Sequence, residues 1–327
     1  MGVKARRLLL LAILIGIALL TVAGLALGSA PVQSLWQVIT HPWGAGPGHE
    51  IVWGIRFPRI LTALLVGMAL GVAGALAQSA TNSPLADPAI IGTAAGASVG
   101  AALAIVLNIA MVGTVPIAIA ATVGALLASV ITFSLAKGSI QLIIIGIATS
   151  SLLTAISGLI ISIGNRPDAR SISFWSLGSF ALANMDTVKV LAPVVLIASV
   201  VGWLYSQSMD LLVLGDREVR HLGKNPDRLR LIAFIFISIL IGVSVSSVGS
   251  IAFIALAAPH ITRYLIGPTN RPLVIGSAVI GAGLLLLSDI AARTIAAPNE
   301  LPIGLITSLI GAPILIVVLK RNRGVWQ

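Results

Sequence analysis

Residues 60–80 read ILTALLVGMALGVAGALAQSA. The stretch holds no charged side chain and no proline, and it is as long as the ~20 apolar residues that an α-helix needs to cross the hydrocarbon layer of a membrane. Its apolar residues are continuous rather than alternating, so it does not fit the ~10-residue strands of a membrane barrel. Lipid offers no partner to backbone N–H and C=O groups, so a run of this kind must be helical. Gly67, Gly71 and Gly74 lie along it, spaced so that a neighbouring backbone can come close.

The same pattern recurs along the chain. Ten candidate spans are read, at residues 8–27, 60–80, 89–108, 116–136, 140–163, 190–204, 229–248, 251–265, 273–295 and 302–319. The eighth is short and is joined to the seventh by only Gly249 and Ser250. If it is a half-helix or a re-entrant piece, the count becomes odd and the C-terminus changes side. Of the 327 residues 57% are hydrophobic and 9% charged, and the mean hydropathy is +1.08. A soluble protein of this size needs more surface charge, so the expected fold is an all-α, polytopic transmembrane bundle forming a single domain. Residues 8–27 form too long an apolar run for a secretory signal and are read as the first span.

The net charge of +10 does not point to nucleic acid, because the cations sit at the ends of the apolar runs. With the N-terminus inside and ten spans, 14 of the 20 cations fall inside: Lys4, Arg6, Arg7, Lys137, Arg217, Arg220, Lys224, Arg228, Arg230, Arg263, Arg271, Lys320, Arg321 and Arg323. Arg56, Arg59, Arg166, Arg170, Lys189 and Arg293 fall outside. The asymmetry predicts that both termini are cytoplasmic. There is no cysteine, hence no disulfide and no thiolate metal site. The phosphate-loop, H-E-x-x-H and G-x-S-x-G motifs are absent, so no nucleotide site of that type, no metal site and no catalytic residues are expected. Few ionisable residues lie within the spans. Asp289 and Arg293, four apart on one helix face, can neutralise each other. That makes an ion-coupled secondary carrier the lesser alternative.

Residues 211–230, LLVLGDREVRHLGKNPDRLR, place eight charged residues in one short segment between the sixth and seventh spans. Leu214-Gly215 and Leu222-Gly223 repeat one dipeptide, and the DREVRH between them is long enough for about two helical turns. Gly223 suits a helix stop and Asn225-Pro226 a restart. The expected element, at about residues 210–226, is a short polar helix across the cytoplasmic mouth. An ordinary solvated loop is the competing reading. Elsewhere Asn82-Ser83-Pro84-Leu85-Ala86-Asp87-Pro88 predicts a sharp turn, with Asp87 capping the third span and Pro88 in its first turn. Pro259-His260 and Arg263 lie in the eighth span, and Glu300 and Pro302 open the tenth.

Taken together, the N-S-P-L-A-D-P turn, P-H-x-x-R, D-x-x-A-R, E-L-P-I-G…G-A-P and the L-G…L-G segment resemble the permease subunits of vitamin B12, iron–siderophore and haem ABC importers, the FecCD-like or type II importer family. The only departure is Ser83, which stands between Asn82 and Pro84. The resemblance runs from about Trp53 to Arg323 with order and spacing kept.

The resemblance implies a ten-span subunit that pairs as a homodimer in the cytoplasmic (inner) membrane of a prokaryote. Two separate ATPase subunits carry ATP and Mg, and this chain binds no cofactor of its own. An extracytoplasmic binding protein delivers a bulky metal chelate, with a ferric siderophore first and haem or cobalamin as alternatives. It also implies that Leu214, Gly215, Asp216, Arg217, Glu218, Arg220, His221, Leu222 and Gly223 couple to the ATPase. Arg56, Arg59 and Arg293 would dock the binding protein, with interfacial snorkelling as the rival reading. The fifth and tenth spans would line the pathway, with Ser150, Thr154 and Ser157 on one face and Thr307 and Ser308 on the other helix. Packing through small residues explains the same hydroxyls equally well.

Overall fold

The computed structural model describes residues 3–321 apart from 29–31, 33–34, 42–43, 45, 90, 110–113, 137 and 164–175. Arg166, Arg170 and Lys137 therefore lie outside the described residues. Each of the ten apolar runs folds as a helix. They are α1 (Val3–Ala26), α2 (Phe57–Thr81), α3 (Thr93–Val106), α4 (Val115–Leu135), α5 (Ser139–Ile163), α6 (Met185–Met209), α8 (Pro226–Val248), α9 (Ile254–Ile266), α10 (Asn270–Thr294) and α11 (Ile303–Arg321); α7 is the short polar helix Asp216–His221. No strand occurs among the described residues.

By length and composition six helices among the described residues suffice to cross a membrane: Pro47–Thr81, Val115–Leu135, Ile140–Ile163, Met185–Leu214, Pro226–Val248 and Asn270–Thr294. Ala12–Ala26, Thr93–Val106 and Ile303–Pro313 are shorter apolar helices. The eighth run gives only 13 helical residues, about 20 Å of rise against a hydrocarbon thickness of about 30 Å. The chain turns back before α9 through Gly249 at φ +78° and Phe253 at φ +68°. The second span begins earlier than its apolar run, because Glu50–Arg56 forms a wide π-type turn that runs into α2. Pro58 lacks an N–H, so a wide turn just before it costs less than an interrupted α-helical ladder.

Helix α2 is the buried centre of the bundle, packed against α6, α8, α9 and α10. Its glycines explain how. A Cβ on Gly67 would meet the Gly281 backbone, one on Gly71 the Ser277 carbonyl, and one on Gly74 the Ala255 carbonyl. Without those side chains the backbones touch directly, which is how helices gain packing where lipid supplies no hydrophobic drive. By contrast α5 leaves most of its surface exposed.

Two ends of the bundle are fixed by polar contacts. At one, Arg56 and Arg293 reach the end of α1. At the other, Arg230 Nε donates to the Ala80 carbonyl at 3.1 Å, and the Asn270 N–H donates to Asp210 Oδ1 at 3.1 Å. Helix α2 runs from the arginine end to the polar end, and α8 and α10 run back.

Candidate functional site

The polar end carries the segment that the sequence singled out. A 3-10 turn at Asp210–Leu214 leads through Gly215, at φ +93°, into α7. Asp216 and Glu218 lie in its first turn and Arg220 and His221 in its last, the order that the helix dipole favours. Gly223, at φ +73°, stops it. The Gly223 N–H donates to the Arg220 carbonyl at 3.0 Å and the Lys224 N–H to the Val219 carbonyl at 3.1 Å, satisfying carbonyls at the helix end. Asn225 then caps α8, its Oδ1 accepting from the N–H groups of Asp227 at 2.9 Å and Arg228 at 3.3 Å, with Pro226 in the first turn. The expected short helix, stop and restart are all present.

One face of α7 holds it to the bundle. Val219 is fully buried. Asp216 turns inward and takes a forked pair from Arg230: Nη2 donates to Oδ1 at 2.6 Å and Nη1 to Oδ2 at 2.9 Å. Those bonds hold the Asp216 carboxyl below the usual carboxylate range, against its partial burial. Arg230 is 3% exposed and also bonds the end of α2. The other face is free: Leu214, Arg217, Glu218, Arg220, His221, Leu222 and Gly223 are exposed, with Gly215 half-buried. Both charge signs therefore face outward on a helix clamped to α2 and α8. Asp216 belongs to the clamp rather than to the outer face. The sequence carried no sign of this, since Asp216 and Arg230 are 14 residues apart across a turn.

The arginine end is built differently from the expectation of outward cations. Arg56, Arg59 and Arg293 are 4%, 6% and 5% exposed. Arg59 donates from Nε to Asp289 Oδ1 at 2.9 Å and from Nη1 to Glu300 Oε1 at 2.6 Å. Asp289 is fully buried, and Arg293 Nε lies 3.6 Å from its Oδ2. The anticipated Asp289–Arg293 pair exists, but Arg59 is the closer partner. Arg293 Nη2 donates to the Gly24 carbonyl at 2.7 Å, and Arg56 Nη1 donates to the carbonyls of Leu25 and Ala26 at 2.7 and 2.9 Å. Glu300 thus closes an ionic cluster, and α11 begins only at Ile303, after Pro302.

Two smaller expectations change. Asp87 does not cap α3. Its Oδ1 accepts from the Ala89 N–H at 2.8 Å, within the turn that includes Pro84 and Pro88, and α3 starts at Thr93 after Gly92 at φ +94°. The turn itself is as expected, and Asn82 ends α2 in the left-handed region at φ +50°. Among the proposed pathway hydroxyls, Thr154 is exposed and Ser150, Ser157 and Ser308 are half-buried, but Thr307 is 1% exposed and faces the interior. Ser150 donates to the Ala89 carbonyl at 2.8 Å and Thr154 to the Ser150 carbonyl at 2.7 Å. These hydroxyls satisfy themselves and leave α5 without fixed charge. Pro259, His260 and Arg263 lie on α9, beside a cavity at the polar end. Among the described residues no cluster of His, Asp and Glu has the makings of a metal site.

Comparison with known proteins agrees with this architecture. A model of the FecCD transport family matches residues 14–321. The haemin transport system permease protein HmuU of Yersinia pestis is 36% identical over 95% of this chain and 96% of its own length. The iron(3+)-hydroxamate import system permease protein FhuB of Bacillus subtilis is 34% identical over 91% of this chain and 79% of its own. A solved metal-chelate-type ABC transporter in an inward-facing conformation superposes with a TM-score of 0.86 at 28% identity, covering 96% of this chain and 99% of that one. A match of this extent, on a bundle whose charged helix stands clear at one end, places the chain in the FecCD transport family, as a permease subunit of an ABC importer.

Proposed function

We propose that two identical copies of this chain form the translocation pathway for a bulky metal chelate, with a ferric siderophore as the first substrate to test. The end that carries α7 faces the cytoplasm, as the excess of Lys and Arg there supports. Both termini share that side, and the protein is a multi-pass component of the cytoplasmic membrane of a prokaryote. Hydrolysis belongs to two separate ATPase subunits with their ATP and Mg, and this chain is not itself an enzyme. An extracytoplasmic binding protein seats on the end that carries Arg56, Arg59 and Arg293. The wall without fixed charge on α5, with Ser308 of α11, fits passage of a large chelate that must not be held.

The observation that carries the coupling role is the two-faced build of α7. Its outer face presents Arg217, Glu218, Arg220 and His221 to a partner, while its inner face is tied to α2 and α8 by the Asp216–Arg230 fork. A partner that pushes α7 in one of its states, and contacts it differently in the other, shifts both helices, because differential contact is what moves a two-state equilibrium.

The test is ATP-dependent uptake in proteoliposomes that contain this chain and its ATPase, offered a ferric siderophore, haemin and cobalamin in turn. The expected result is uptake of one chelate class. It is abolished when Arg217, Glu218 and His221 are changed together to Ala, while the chain's melting temperature stays put. Uptake without ATP, or full ATP-driven uptake by the triple variant, overturns the proposal.

A further inference from the structure

A cavity of about 430 Å³ opens at the polar end, lined among others by Gln78, Asn82, His260, Arg263, Tyr264 and Asn270. It lies between the end of α2, the turn that follows it, α9 and the start of α10. Its chemistry differs from that around the buried arginines among the described residues. Arg56, Arg59, Arg230 and Arg293 are each bonded to carboxylates or backbone carbonyls. Arg263, only half-buried, makes no hydrogen bond and no ion pair among the described residues, and its Nε is unsatisfied. No acidic side chain lines the cavity. Gln78, 2% exposed, has an unsatisfied Oε1, and its amide is held only by a long 3.4 Å bond to the Leu256 carbonyl. The Arg263 Nε is kept from water without an acceptor, which is costly, and most such buried groups in native proteins have one.

We propose that this cavity binds a phosphodiester headgroup that carries hydrogen-bond donors, as phosphatidylglycerol does. The phosphate meets the Arg263 fork, whose planar donors match phosphate oxygens. The headgroup hydroxyls supply the donors that Gln78 Oε1 lacks. The depth of the site agrees with a lipid source. The chain's two tyrosines, Tyr205 and Tyr264, both lie near this end, and Arg271 stacks over Trp203 there at 4.7 Å. Amphipathic aromatic rings concentrate at headgroup level, and basic pockets between helices at that level hold lipid headgroups. Exposed Val213, which lines the opening, offers apolar surface to an acyl chain.

The test is the melting temperature of the detergent-purified full chain titrated with phosphatidylglycerol, phosphatidylcholine and inorganic phosphate, together with native mass spectrometry of retained lipid. Phosphatidylglycerol is expected to raise the melting temperature saturably and to be retained. Phosphatidylcholine, which carries the phosphate but no donors, is expected to do neither. Arg263→Gln should weaken the lipid effect about tenfold or more, the loss of one charge-assisted contact. Lys224→Gln, which alters an exposed cation at the same end outside the cavity, should leave it unchanged. If Arg263→Gln does not accumulate, Arg263→Lys keeps the charge without the fork and serves the same comparison. Equal stabilisation by inorganic phosphate alone overturns the lipid source in favour of a free anion. Equal effects of the two lipids, or an Arg263 variant that responds like wild type, overturn the site.

Discussion

Arg230 grips Asp216 through both terminal guanidinium nitrogens, Nη2 at 2.6 Å and Nη1 at 2.9 Å, across 14 residues of chain. The polar helix is therefore attached to the bundle by a directional fork and not only by the apolar contact of Val219. In the proposed coupling role such an attachment matters: a single point contact would pivot, whereas a fork together with the Arg230–Ala80 bond ties α7 to α2.

Asp216→Asn keeps the shape and removes the charge. Arg230 then retains the Ala80 carbonyl and, at 3.7 Å, Asp227. Because the carboxylate is partly exposed, the expected cost is modest, about 1–2 kcal/mol. The larger loss should be in transport per ATP hydrolysed. A pH dependence accompanies it. The folded carboxyl titrates below its unfolded value, so its stabilisation is complete above about pH 4 and is lost as pH falls through the lower folded value. Melting curves should show that acid loss in wild type and a smaller one in the variant.

Arg59→Gln leaves Asp289, which is fully buried, with only Arg293 at 3.6 Å. An uncompensated buried charge of this kind costs about 3–5 kcal/mol. Arg59→Met combined with Asp289→Leu removes this pair together and leaves Arg293 its Gly24 carbonyl, so the double variant should recover part of the loss. Thermal unfolding of the two single variants and the double variant measures the coupling. A double variant no more stable than the worse single would show that the pair is not the source of the cost.

Arg56 separates docking from folding better than Arg59 does. Its guanidinium bonds backbone carbonyls at the end of α1, so Arg56→Gln can keep a donor there while losing the charge. If the binding protein seats on this end, its affinity should fall in the variant and the salt dependence of docking should flatten. Titration of a labelled binding protein at two ionic strengths reads both. Unchanged affinity and slope would remove Arg56 from the contact.

Gly71→Leu should abolish accumulation of the protein in membranes, since the side chain has to displace the Ser277 carbonyl of α10. Gly158→Leu, on α5 with open space around it, serves as the control and should accumulate normally. Immunoblots of membrane fractions distinguish the two.

The helices and the order of the motifs follow from local chemistry alone. Runs of about 20 apolar residues leave the backbone no partner but itself, so each of them had to be helical wherever it ended up. The polar helix was equally legible, because Gly215, Gly223 and Asn225-Pro226 act on their immediate neighbours. The resemblance carried by the N-S-P-L-A-D-P, P-H-x-x-R and E-L-P-I-G blocks named the family, which the match over residues 14–321 bears out.

What the sequence left open depends on contacts between residues far apart in the chain. Arg59 and Glu300 are 241 positions apart, and nothing local distinguishes an arginine that faces out from one folded onto a distant carboxylate. The neighbours of Asp87 predict a cap, yet α3 begins beyond it, at Thr93. Arg263 looked like one more cation at a span end, and only the packing of α2, α9 and α10 left it facing a cavity without an acid. Local chemistry decides what a segment becomes; which charges pair, and which are left over, is decided where segments meet.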